Sequence, residues 1–288
     1  MGRAGLGLLR SPSPRSGRGG SGRGEGAAVT AADAALLAAL PGWAFAFALV
    51  LARVGGAVML LPGLGETEPP PMLRAGIALA VTVLLLPPIR PLIPPVPPAL
   101  APAAGMVLAE AITGLWLGWL ARVLVLALPM AGQIIAYMMG LANVLEPDTR
   151  LGGQSTALGR MFGLAATVAV LASGLWAVPV AALAGSFRLI APGALLPAGA
   201  TAGIAATSVA CGFALALQLA SPFVLAAIVW QVAIGVIAKL IPRLQVYFLA
   251  LPAQILGGLL LLALLVGGII SAWQGALVAG FDRLPGLG

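Results

Sequence analysis

No histidine occurs in the 288 residues of this chain, and only 8% of them are charged. Without histidine the chain lacks the commonest general base and the commonest metal ligand. A soluble domain carries roughly 25% charged residues, so a chain this poor in charge cannot cover its own surface with polar groups. It is solvated by lipid, by other apolar chains, or by both. One cysteine, Cys211, excludes an intramolecular disulfide.

Absences narrow the function classes as well. The sequence has no Walker-type glycine loop ending in Lys-Ser/Thr and no dinucleotide fingerprint. It has no His/Cys/carboxylate cluster at metal-ligand spacing. Basic residues are not interleaved with aromatics as they are in a nucleic-acid groove. The chain is therefore read as a non-enzyme with no cofactor, no metal and no nucleic-acid partner.

What is present is long apolar runs. They cover about 34–61, 72–86, 99–121, 123–142 and 161–184, then 50 uncharged residues between Arg188 and Lys239 and 38 between Arg243 and Asp282. A helix needs about 20 apolar residues to cross a bilayer core of about 30 Å, which gives six or seven helices. The runs are too long, and do not alternate, for a spanning barrel. The fold class is all-α: a multi-helix integral membrane protein.

Prolines punctuate the runs. Seven of them in residues 87–98 stop any helix there. Pro129, Pro222 and Pro252 predict helices broken at depth, where freed carbonyls need protein or water partners. Residues 1–33 carry five arginines against Glu25 and Asp33 and are rich in Gly, Ser and Pro. They read as a disordered basic tail, followed by a helical domain at 34–283.

Basic residues are spread nearly evenly over the connections, so the positive-inside rule gives no clear orientation. Some helices are therefore not expected to cross in the ordinary alternating way. Small residues recur at four-residue spacing in Gly114/Gly118, Ala136/Gly140, Gly159/Gly163 and Gly199/Gly203, which lets helices approach one another closely.

Two groups of residues stand out. Arg53, Glu110, Arg122 and Lys239 lie within or at the edges of spans, where charge is expensive. Glu110 and Arg122 are too far apart along one helix to pair. Arg53 is a candidate partner for Glu110, serving either as a register-fixing pair or as part of a proton relay. The second group is the polar stretch GLANVLEPDTRLGGQSTALGR at 140–160, set between two uncharged runs. It is either a surface loop or a segment that faces water elsewhere.

The chain resembles the FliR family, the R component of the flagellar protein-export gate, with counterparts in injectisome secretion. The resemblance runs over about 36–275. It is carried by LARVGGAVMLLPGLG (51–65), MLRAGIALA (72–80), GLWLGWLARVLVLALPMAGQIIAYMMGLANVLEPDT (114–149), SFRLIAP (186–192) and SPFVLAAIVWQVAIGVIAKLIPRLQVYFLALPAQILGGLLLL (221–262). A glycine-histidine common in the family is replaced by ASGLWAVPV, and the late Pro-Gln is Pro242-Arg243.

That resemblance implies a P-type unit at 34–200 followed by a Q-type helical hairpin at 201–283. It implies P and Q components as partners, with the B and A components nearby, in a channel for unfolded flagellar proteins. The place would be the bacterial inner membrane, at the flagellar basal body and in contact with lipid. It also implies that the 143–156 segment plugs the closed channel, through Asn143, Glu146, Asp148, Arg150, Gly152, Gly153, Gln154 and Ser155. The alternatives are the injectisome gate and a small-molecule or ion secondary transporter.

Overall fold

A computed structural model of the chain describes residues 22–66, 70–141, 156–240 and 246–287. These residues form α1 (Gly22–Val58), α2 (Pro71–Ile89), a 3-10 turn (Arg90–Leu92), α3 (Leu100–Val125), α4 (Ala127–Met138), α5 (Ala157–Ala172), α6 (Ala177–Leu189), α7 (Ala198–Leu240) and α8 (Val246–Phe281). No strand occurs among the described residues. The all-α class expected from the uninterrupted runs is the class observed.

The chain divides into two units, Met1–Ala44 and Phe45–Gly288. The first contains the start of α1, which begins at Gly22, so residues 22–33 of the expected tail have helical backbone. Ala27, Ala28, Ala31 and Ala32 supply the propensity for it. The second unit contains the rest of the chain.

Within the second unit α4 is the central element. It packs chiefly on α5 and α7, while α7 also packs on α8 and α3. Small residues make this possible: Ala127, Ala131, Gly132 and Ala136 are buried on α4 beside Leu128 and Ile135. A methyl group placed on Gly132 would lie 3.1 Å from the Cα of Gly159 on α5, and one on Gly159 would lie 2.6 Å from Gln133 Cγ. The two backbones approach so closely only because both positions lack a side chain.

The four small-residue pairs have different fates. Gly114 and Gly118 sit against the backbone of α1 at Arg53 and Ala57, and Gly56 returns the contact to Ala111. Gly159 and Gly163 face Gln133 and Pro129 of α4. Ala136 is buried, whereas Gly140, with φ +75°, lies just past the end of α4. Gly199 and Gly203 face open space.

Two expectations about breaks need correction. The run 161–184 is not one helix but α5 and α6, bent by 70°. Gly174 takes φ +73° just past the end of α5, the left-handed conformation that ends helices, and sends the chain in a new direction. Conversely, α7 and α8 run unbroken through Pro222 and Pro252. At Pro222 the reason is visible: the carbonyl of Gln218, which a proline at that position cannot bond, accepts the Ser221 hydroxyl at 2.7 Å. Pro129 behaves as expected. α3 ends at Val125 and α4 restarts at Ala127, which puts the proline in a first turn where no intrahelical donor is needed.

Among the described residues, five helical stretches are long and apolar enough to cross a membrane, with α3 and α4 together forming one of them (Leu100–Met138), or six if the bent α5–α6 pair counts as one span. α7 exceeds what a bilayer needs: its 43 residues measure about 65 Å at 1.5 Å per residue, against a hydrocarbon core of about 30 Å.

Candidate functional site

Arg53 and Glu110 meet where α1 crosses α3, one helical turn from the contact at Gly114. The pair is a two-pronged fork: Arg53 Nε donates to Glu110 Oε2 at 2.6 Å and Nη2 donates to Oε1 at 2.8 Å. Neither side chain has any solvent exposure. Charges are tolerated at such depth only when paired and well hydrogen-bonded, and every nitrogen of the guanidinium and both carboxylate oxygens have a partner. Arg53 Nη1 donates to Ser186 Oγ at 3.3 Å and Nη2 to the Ile190 carbonyl at 3.2 Å. Ser186 in turn donates to the Leu183 carbonyl at 2.7 Å. Glu110 Oε1 also accepts the backbone N–H of Gly193 at 2.7 Å. The Phe187 ring lies 4.1 Å from the guanidinium carbon, a cation–π contact.

One ion pair thus ties together α1, α3, α6 and the connection from α6 to α7. Apart from Arg53 and Glu110, its members are a serine hydroxyl, backbone groups and a phenyl ring. None of these is a second carboxylate or a phenol that would pass a proton on. Of the two readings open in the sequence, this arrangement suits register-fixing.

Sequence reasoning brought Arg53 and Glu110 forward but not Ser186, Ile190 or Gly193. The stretch SFRLIAPG carries a Pro-Gly turn signal at 192–193, and nothing in it points to a partner more than 80 residues earlier. Gly193 has φ +83°, and a methyl group there would collide with Met106. The left-handed φ is what requires glycine, since the Met106 side chain is flexible enough to move aside.

Arg122 reaches the connection after α1. Its Nη2 lies 3.1 Å from Glu66 Oε2 and its Nη1 donates to the Gly65 carbonyl at 3.1 Å. Both side chains are about a quarter exposed, so this pair sits at a wet edge and is separate from the buried one. Lys239 is exposed in the last turn of α7, where a cation suits the helix dipole. Gln254 of α8 donates to the Met138 carbonyl at 2.9 Å and so caps the end of α4.

The polar stretch singled out in the sequence, with Asn143, Glu146, Asp148, Arg150, Gly152, Gly153, Gln154 and Ser155, lies outside the described residues. Its two anchors lie within them. On one side α4 closes with the Met139 N–H bonded to the Ile135 carbonyl at 2.9 Å. On the other, the Thr156 side chain caps α5 by accepting the Gly159 N–H at 3.1 Å.

The sequence matches a family described as bacterial export proteins, family 1, over residues 44–279. It is 31% identical over 226 residues to the flagellar biosynthetic protein FliR of Caulobacter vibrioides, covering 78% of this chain and 90% of that one. It is 28% identical over 217 residues to the protein of the same name from Bacillus subtilis, covering 73% and 82%.

Proposed function

We infer a place in an export machine from one premise: the chain belongs to the bacterial export proteins, family 1, and is a component of the flagellar type III protein-export gate. It is a membrane protein of the flagellar apparatus. Within that gate we assign it the R position, beside P and Q components and near the B and A components. The gate stands in the inner membrane at the flagellar basal body and passes unfolded flagellar proteins. The chain contributes walls and contacts and no catalysis of its own. Residues up to about 200 act as the P-like part, and α7 with α8 acts as the Q-like hairpin.

The observation that carries this reading is the α7–α8 hairpin. It is far longer than a bilayer is thick, and its apolar side chains stay uncovered along both legs. Leu225, Val229 and Val232 on α7 are 64%, 69% and 63% exposed, and Leu256, Leu260 and Leu264 on α8 are 61%, 65% and 79% exposed. Lipid can cover only about 30 Å of such a length. Neighbouring protein chains supply the remaining apolar cover, as a multi-chain gate would and as a free-standing transporter would not.

An in-frame deletion of the gene tests the assignment through early, hook-type flagellar substrates assayed inside and outside the cell. The expected result is substrate made but not exported, with export restored by residues 34–288. Untouched export and swimming would refute the flagellar assignment and favour the injectisome gate or a transporter. The plug role of residues 143–156 has its own test: cysteines at 149 and 155 should cross-link to a stalled substrate, and their failure to do so would remove that role.

A further inference from the structure

We propose that the Arg53–Glu110 pair positions the α7–α8 hairpin: its hydrogen bonds to Ile190 and Gly193 close the turn from which the hairpin leaves the rest of the fold. The inference concerns this chain's own conformation and stands apart from the gate reading.

The turn between α6 and α7 has one bond of its own, from the Ala194 N–H to the Ala191 carbonyl at 3.0 Å, and two more come from outside it. Its one glycine is in the left-handed conformation, and the backbone groups at its two ends, the Ile190 carbonyl and the Gly193 N–H, bond to side chains of distant helices. The carbonyl takes an Arg53 proton and the N–H gives its own to Glu110, so opposite members of one ion pair hold opposite ends of one turn. Neither α1 nor α3 gains a helix bond from this. The structural result is a turn fixed at Ile190 and Gly193, shortly before α7 begins at Ala198.

Past the buried Pro192, burial does little to fix the start of α7. No residue from Gly193 to Cys211 is buried, and the first buried residue of α7 is Gly212. The first turns of α7 face the last turns of α8 across open space. A cavity of about 640 Å³ separates them, with Gly199, Gly203 and Ile204 on one side and Ala276, Gly280 and Arg283 on the other.

The far end of the hairpin is held at the same place. After α8 the chain turns back, and Gly286, with φ +107°, lies against the backbone of Ala182, Gly185 and Ser186 on α6. Ser186 is also the residue that accepts from Arg53. Both ends of the hairpin therefore terminate on one stretch of α6, one through the ion pair and the other through a glycine-to-glycine contact.

Spin-label distances measure this directly, in the full-length chain isolated through an affinity tag on it together with whatever chains accompany it. In a Cys211→Ala background, Ala200→Cys with Val168→Cys reports the start of α7 against α5. Tyr137→Cys with Val168→Cys reports α4 against α5 as a control. Arg53→Lys keeps the charge, but a lysine ammonium cannot hold both the carboxylate and the Ile190 carbonyl, so the first distribution should broaden about twofold or more while the control stays narrow. Glu110→Asp also keeps the charge but is one methylene too short to meet both Arg53 and Gly193, and it should act in the same direction. Unchanged widths in both variants would overturn the proposal. So would equal broadening of the control pair, or failure of both variants to accumulate, because the pair would then support the whole fold and not the hairpin in particular.

Discussion

Removing the two buried charges singly and together separates what their attraction does from what their backbone contacts do. Glu110→Leu leaves Arg53 fully buried with no counter-charge, and breaking a buried pair from one side costs about 3–5 kcal/mol. Arg53→Met should cost a similar amount. The double variant Arg53→Met/Glu110→Leu removes both desolvation penalties, and replacing a buried pair by apolar residues of similar volume is often neutral or better. Here neutrality is not expected. The Gly193 N–H and the Ile190 carbonyl, bonded at 2.7 and 3.2 Å to the pair, both lose their partners. A buried backbone group left unmade costs about 1–3 kcal/mol, and partial exposure at both Ile190 and Gly193 lowers their share. The double variant should therefore recover much of the single-variant loss and still lie about 1–3 kcal/mol below wild type. Reversible unfolding of the full chain in mixed detergent micelles reads all four corners of the cycle. A double variant as stable as wild type would show that the turn bonds contribute nothing. A single variant without loss would refute the reasoning at its root, since a solvent-free charge would then be tolerated unpaired.

Other positions give sharper geometric tests. Gly114→Ala places a methyl group against the Arg53 carbonyl and 3.0 Å from the Ala57 nitrogen, both backbone atoms that no rotamer change can move; it should lose about 1–3 kcal/mol in the same unfolding assay, and Gly199→Ala, facing open space, should lose none through packing. Arg122→Ala and Glu66→Ala, at the wet edge, should each lose no more than about 1 kcal/mol, so a melting shift as large as that of Glu110→Leu would contradict their exposure. Ser221→Ala removes the hydroxyl that bonds the Gln218 carbonyl beside Pro222 and should cost about 1 kcal/mol; Ser221→Ala/Pro222→Ala, which restores the backbone N–H, should regain it.

Class and membrane character were legible in the sequence because they rest on sums: charge too scarce for a water-facing surface, and runs too long for strands. The end of α2 within 87–98 was legible from local chemistry, although the helix runs through Pro87 and Pro88 before it stops at Ile89, and so was the break near Pro129. The approach of α3 to α1 at Gly114/Gly118 was legible as a capacity, though not as a contact. Gly199/Gly203 have the same spacing and face nothing, because a small residue permits close packing without choosing a neighbour. Pro222 failed as a break for a related reason. Whether a proline ends a helix depends on who satisfies the freed carbonyl, and here Ser221, the residue just before it, does so.

By itself, then, the sequence determined an apolar, all-helical chain with costly charges at Arg53 and Glu110, since burial energies and helix length follow from composition and run length alone. Only the tertiary structure decided that those charges meet, and that Ser186, Ile190 and Gly193 complete their hydrogen bonds. It also decided that one pair, made from residues 57 positions apart, closes a turn near residue 190. Such partnerships depend on which helices cross and at what rotation, and no local periodicity encodes that. A buried charge announces that it must have a partner, and only the packing of the other helices selects which one.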